Sequence, residues 1–172
     1  MWLLVAMVAI ATGCNRHEPA PEPPPTVQAA QPARSKAPQA PAVQGRDLTI
    51  DEAMGGHTLA RHVGKTDAEL AERLRREPQI SAASTYTDQP IAARTVAGAL
   101  DSSSGEVSAW SKRKGRRPNL VLRYASRDGP VGRSLARRAR AAVPCVRAIV
   151  VLRWDERRNR FYVLTSYPEA DR

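Results

Sequence analysis

The chain has 172 residues, 14 prolines and a formal net charge of +10. That length argues for one domain with an extension rather than two full domains. Eight of the prolines precede Val43, while from Arg46 onward 24 Lys and Arg stand against 15 Asp and Glu. The positive charge therefore belongs to the folded part. Roughly 125 residues can bury a core without disulfide staples.

Met1 to Gly13 is apolar, uncharged and too short to span a bilayer as a mature helix. It reads as the hydrophobic region of a signal peptide over residues 1–13. It ends in Ala11-Thr12-Gly13-Cys14, which resembles the bacterial lipoprotein cleavage motif. Cys14 would then become the lipidated N-terminus. An uncleaved signal anchor and ordinary secretion are the alternatives. Residues 14–46 are rich in Pro, Ala and Gln and nearly lack large apolar side chains. Such a segment cannot bury enough surface to fold, and a semi-extended tether is expected. The folded domain is expected over 47–172, at the cell envelope, facing the periplasm or the exterior.

Export implies an oxidising compartment. A Cys14–Cys145 disulfide would tie the leader to the core and is not expected. Cys145 sits in the apolar run Val143-Pro144-Cys145-Val146 and reads as a buried structural thiol.

Within the domain, Gly55 to His62 reads as a short helix ended by Gly64. Thr66-Asp67-Ala68-Glu69 matches a capping box. The helix it opens, Asp67 to Glu77, stops before Pro78 and buries Leu70 and Leu74. Ser84 to Tyr86 reads as a short strand. Thr87 or Asp88 caps a helix from Gln89 to Leu100, with a second helical piece reaching Trp110. Asn119 to Tyr124 alternates as a strand, with Leu120, Leu122 and Tyr124 on one face. Asp128-Gly129-Pro130 is turn chemistry. Val146 to Trp154 and Arg160 to Tyr167 read as a hairpin about a polar connection. Helices first and strands last predict an α+β fold, with helices packed on a C-terminal antiparallel sheet. The basic runs Lys112–Arg117 and Arg137–Arg140 read as solvated loops.

The sequence lacks a Gly-rich phosphate loop, a His-Glu-x-x-His zinc motif, paired cysteines and a nucleophile elbow. His57 and His62 are five apart, about 140° around a helix, which suits a shared metal poorly. No metal and no cofactor are expected. What remains is His57 and His62, then Lys65 and Arg73, then Thr165 and Tyr167. The last two project from one face of a strand. Histidine suits proton transfer near neutral pH, and a guanidinium suits a phosphate gaining charge. Each residue also has a plainer reading: Arg73 is four from both Glu69 and Glu77, a helix-face ion pair. Excess charge draws polyanions, but an Arg-rich genome produces it too.

The stretch Gly56 to Leu70 (GHTLARHVGKTDAEL) resembles the opening of the bacterial RNase A-like toxin domain. That family, of the CdiA-CT type, ends contact-dependent growth-inhibition toxins. Ala83 to Asp88, Gly129 to Arg133 and Tyr162 to Pro168 fit it in order. The resemblance implies a pancreatic-ribonuclease-like fold without disulfides. It implies a site of His62, Arg73, Thr165 and Tyr167, with His57 the alternative histidine and Lys65 in support. It further implies an RNA substrate and cleavage through a 2′,3′-cyclic phosphate. A cognate immunity protein would be a partner, and Cys14 would supply a lipid anchor in the membrane. The competing expectation is a non-catalytic lipoprotein whose basic domain binds an anionic polymer or a protein in the envelope.

Overall fold

The computed structural model describes residues 45–171. The leader, Cys14 and the Pro/Ala-rich segment up to Gln44 lie outside the described residues. The chain runs through α1 (Leu48–Ala53), α2 (Thr58–His62), α3 (Asp67–Arg76), β1 (Ala82–Tyr86), α4 (Gln89–Ser102) and α5 (Ser104–Ser111). Then follow β2 (Leu120–Ala125), β3 (Gly132–Ala136), β4 (Val143–Cys145), β5 (Arg147–Asp155) and β6 (Arg160–Glu169). The fold is α+β, as expected.

Local chemistry accounts for the helices. Asp47 caps α1 by accepting from the Thr49 N–H at 3.0 Å. In α3, the Thr66 hydroxyl accepts from the Glu69 N–H while the Glu69 carboxylate takes the Thr66 N–H at 2.7 Å, so the capping box is complete. Asp88 accepts from the Ile91 N–H at 2.7 Å to open α4. The helix expected over Gly55–His62 begins only at Thr58, and α1 before it was not foreseen. Gly64, at φ 65°, turns the chain out of α2 and donates its N–H to the Tyr86 carbonyl at 3.1 Å. A side chain there would be strained.

The C-terminal antiparallel sheet expected is present, and an additional three-stranded antiparallel sheet accompanies it. Their orders are β1-β3-β4 and β2-β5-β6. The main core lies between α4, α5 and the second sheet, with Val96, Ala99, Trp110, Leu122, Val150, Leu152 and Val163 at its centre. A smaller core joins α3 to the first sheet through Leu70, Leu74, Ala83 and Leu135. Burying a leucine of this kind stabilises by about 2 kcal/mol relative to exposing it. Cys145 is buried within the fold, and desolvation raises its thiol pKa to about 11.

The β5–β6 pairing contains an irregularity that decides what faces the cleft. Leu152 pairs with Val163, but Val151 pairs with Thr165, leaving Leu164 as an extra residue. Val163 belongs to the main core, and so does Val150, the partner of Ser166. Beyond the bulge, Ser166 and Pro168 therefore carry on the core face, while Thr165 and Tyr167 share the opposite one. Both flanks of the bulge are held by the α1–α2 segment. The buried Asp51 carboxylate accepts from the Val163 N–H at 2.9 Å, and the Leu164 carbonyl accepts from the His57 N–H at 3.0 Å.

Arg137 departs from the solvated loop expected for its basic run. It donates to the carbonyls of Leu74, Glu77 and Ile80 at 2.7–3.1 Å, satisfying groups that the end of α3 leaves open. In the other basic run, Arg117 stacks on Trp154, its guanidinium carbon 4.2 Å from the ring centroid.

Candidate active site

Strands β1, β3 and β6, the His62 end of α2 and the middle of α3 line a cavity of about 590 Å³. His62, Arg73, Thr165 and Tyr167 all line it. The four come from one end of α2, the middle of α3 and the cleft face of β6. The fold thus gathers residues up to 105 positions apart.

His62 is 7 % exposed, and its Nδ1 lies 3.2 Å from the Ser84 carbonyl oxygen. A carbonyl only accepts, so Nδ1 carries the proton and the neutral ring keeps its lone pair on Nε2. Burial lowers the pKa from 6.5 to about 4; the Ser84 bond works the other way, and Arg73, His57 and Arg61 add to the lowering. The ring is therefore neutral at pH 7, the state a proton acceptor needs. The Tyr167 ring lies beside it, centroids 5.4 Å apart.

Arg73 approaches Glu77 at 3.4 Å through Nε, and Nη1 reaches the Arg61 carbonyl only at 3.5 Å. Its Nε is buried with no hydrogen-bond partner. The ion pair foreseen with Glu77 exists, yet it leaves most of the guanidinium's five donors unused. The Thr165 Oγ1 is likewise buried and has no partner. Unpaired buried donors are costly, and two beside one cavity fit a site built for an oxygen-rich anion.

The other two candidates lie elsewhere. His57 precedes α2, makes no side-chain cap bond and does not line the cavity. Desolvation lowers its pKa as well. Lys65 lines a neighbouring groove along α3, which shares only Arg73 with the cavity. Its backbone N–H donates to the Thr85 hydroxyl at 2.9 Å. Sequence reasoning missed the Ser84 carbonyl that orients His62 and the wall of Ser84 and Ser134. Main-chain acceptors leave no signal in a sequence, and isolated serines leave little. Among the described residues, no three His, Cys, Asp or Glu side chains gather as a metal-ion site would require.

Comparison with known proteins agrees with this architecture. Residues 56–168 match the family model described as the bacterial CdiA-CT RNase A domain. Among solved structures, the crystal structure of a CdiA-CT/CdiI complex from Y. kristensenii 33638 is similar, with a TM-score of 0.59 and 28% identity. The match covers 67% of this chain and 100% of that one. No curated protein sequence matches. The chain belongs to the bacterial CdiA-CT RNase A domain family, a family of RNase toxin domains.

Proposed function

We propose that the protein is a metal-independent endoribonuclease that cleaves RNA by attack of a ribose 2′-hydroxyl on the adjacent phosphorus. The observation that carries this reading is the single cavity lined by His62, Arg73, Thr165 and Tyr167. Nε2 of His62 takes the 2′-hydroxyl proton. The 2′-oxygen bonds to phosphorus, the bond to the 5′-oxygen breaks, and a 2′,3′-cyclic phosphate forms. Arg73 neutralises the charge that builds on the phosphoryl oxygens. Thr165 donates its unpaired hydroxyl to one of them. Tyr167 protonates the departing 5′-oxygen, or hydrogen-bonds the phosphate while water protonates that oxygen; His62 then gives its proton to water, and a phenolate or hydroxide left behind is neutralised by it. Arg73 cannot be that donor, because a guanidinium stays protonated.

The test is cleavage of several RNAs by residues 46–172, which carry both cores, in the presence of a chelator. Accumulation of 2′,3′-cyclic ends is expected. His62→Ala and Tyr167→Phe should each lose most activity while keeping a native circular dichroism spectrum. A folded wild type that cleaves none of the RNAs would overturn the reading and favour the non-catalytic alternative. Full activity in His62→Ala would move the base to His57.

The CdiA-CT relative is a complex with CdiI, and for this chain we propose a cognate immunity protein as partner. A lipid anchor on Cys14 would hold the enzyme in the producer's envelope, away from its own RNA, until delivery to a target cell. A neighbouring reading frame that suppresses toxicity of the cytoplasmic domain is the expected finding. Harmless cytoplasmic expression without it would contradict the toxin role.

A further inference from the structure

The positive charge of the domain is not spread evenly. The run Lys112–Arg117 and the segment Arg153–Arg160 hold nine of the 24 Lys and Arg found from Arg46 onward, but only two of the 15 acids. The rest of the domain is nearly balanced, 15 cations against 13 acids. The fold brings both segments to one end of the second sheet. The first joins α5 to β2, and the second is the end of β5, its turn and the start of β6. Arg117 clips them together. Its guanidinium stacks on Trp154, 4.2 Å from the ring centroid, and its Nη1 donates to Glu156 at 3.3 Å. Trp110 fixes the end of the loop by donating from Nε1 to the Pro118 carbonyl at 2.8 Å.

The two acids at this end are taken, Asp155 by Arg158 and Glu156 by Arg117. Among the described residues the other seven cations make no ion pair. Lys112, Arg113, Lys114 and Arg116 are exposed, and so are Arg153, Arg157 and Arg160. Like charges held together without counter-charges suit a polyanion. A membrane-binding surface adds exposed apolar side chains that insert between lipids. The exposed large apolar residues are Ile50, Val121, Val143 and Val146, and none lies in either segment. A nucleic-acid backbone needs only spaced cations. Strand β6 also runs from this end towards the cavity, with Arg160 at its start and Thr165 on the cavity wall. The rise of a strand puts roughly 15 Å between these two residues. A stacked strand advancing about 3.4 Å per nucleotide covers that in four or five nucleotides, beyond the reach of a dinucleotide.

Resting on the ribonuclease reading, we propose that the Lys112–Arg117 loop and the β5–β6 turn form an exosite that holds the phosphate backbone of a long RNA, several nucleotides from the bond being cut. The exosite tightens binding of long substrates and does nothing for short ones. It contacts backbone only, so it favours length and not sequence. The solvated loop expected for Lys112–Arg117 thus has an occupant.

The test uses the full chain with a dinucleotide and a long stem-loop RNA, following cleavage of both and binding of the labelled stem-loop by fluorescence anisotropy. The combined variant Lys112→Gln, Arg113→Gln, Lys114→Gln, Arg116→Gln should raise KM for the stem-loop at least about tenfold and lower the slope of log Kd against log salt by about 3. Its kcat on the stem-loop and its kcat/KM on the dinucleotide should match the wild type. Lys112→Arg with Lys114→Arg keeps the charge and should keep the wild-type KM. A control variant, Arg94→Gln, Arg127→Gln, Arg138→Gln, Arg140→Gln, removes the same charge from exposed positions elsewhere and should bind the stem-loop nearly as the wild type does. An equal loss in the control would show that net charge alone gathers RNA and overturn the proposal. So would equal losses on both substrates, or an unchanged KM on the stem-loop. A patch variant that keeps its RNA affinity but no longer sediments with phosphatidylglycerol vesicles as the wild type does would assign the surface to the membrane instead. Each of these leaves the ribonuclease reading standing. A wild type that cleaves neither RNA, yet binds the stem-loop through these four residues, would sink the ribonuclease reading and leave the RNA surface in place. Neither cleavage nor binding overturns both.

Discussion

Val163 and Thr165 are two residues apart on β6 yet face opposite sides of the sheet, because Leu164 is left unpaired between them. Val163 is fully buried in the main core, whereas Thr165 lines the cleft. Without the bulge, strand alternation would place Thr165 and Tyr167 on the core face with Val163. The candidate site thus depends on one extra residue far from either histidine in sequence.

Inserting an alanine between Val151 and Leu152, opposite Leu164, should restore a regular ladder and carry Thr165 and Tyr167 away from the cavity. The expected result is at least about a 100-fold loss of RNA cleavage, on the scale that misplaced catalytic groups cost. Leu164→Ala keeps the residue count and should keep most activity. Steady-state cleavage assays, with near-ultraviolet circular dichroism to check packing, would decide. An insertion variant that stays as active as the wild type would show that the bulge does not set the facing that cleavage needs.

The buried state of His62 fixes the acid side of the pH profile. On the proposed mechanism the neutral ring is the active form, and burial lowers its pKa to about 4. Activity measured as kcat/KM should therefore persist well below pH 6.5 and fall only as pH approaches 4. Substitutions that open the cavity to water should move this limb upward. An acid limb at 6.5 or above in the wild type would mean that the ring is solvated when it acts.

The same depression is a statement about stability. In the unfolded chain the imidazole titrates near 6.5, and in the folded chain near 4. Below pH 6.5 the unfolded state takes up a proton that the native state refuses. Stability is therefore lost as pH falls from 6.5 towards 4 and levels off below that. The loss attributable to this residue is about 3 kcal/mol. Denaturant unfolding at pH 7 and pH 4.5 should show a much smaller fall for His62→Gln than for the wild type. An equal fall in both would show that the ring is not desolvated.

These determinants differ in how far the sequence shows them. The Thr66–Glu69 box, the break at Pro78 and the alternation of Leu120, Leu122 and Tyr124 are local, so they are readable in a line of text. β3 is not: Gly132-Arg133-Ser134-Leu135-Ala136 has no β-branched residue, and it becomes a strand by pairing with β1 nearly fifty residues earlier. α1 is a single short turn and a half, recognisable only through the Asp47 cap. The choice between His57 and His62 stayed open in the sequence. In the fold only His62 reaches both the Ser84 carbonyl and the cavity. The shared face of Thr165 and Tyr167 was legible from spacing. Which face it is depends on a bulge that pairing across the hairpin creates.

One buried pair links the two sheets at this site, and its hydrogens can be assigned. The Ser166 hydroxyl donates to the Ile149 carbonyl at 2.9 Å, so the Tyr86 hydroxyl must be the donor in its 2.6 Å contact with Ser166. Tyr86 is fully buried, and desolvation raises its pKa. Tyr86→Phe removes one bond but leaves Ser166 its own acceptor, at a cost of about 1 kcal/mol. Ser166→Ala strands the phenol and should cost about 1–3 kcal/mol for that group alone. Adding Tyr86→Phe to Ser166→Ala should then restore stability, opposite in sign to its effect on the wild type, and urea unfolding of the four proteins would test this. A further loss in the double variant would show that the phenol finds another acceptor. The pair also bears on catalysis. Tyr86 ends β1 two residues after Ser84, and Ser166 stands between Thr165 and Tyr167, so this bond fixes the distance between the β1 and β6 walls of the cavity.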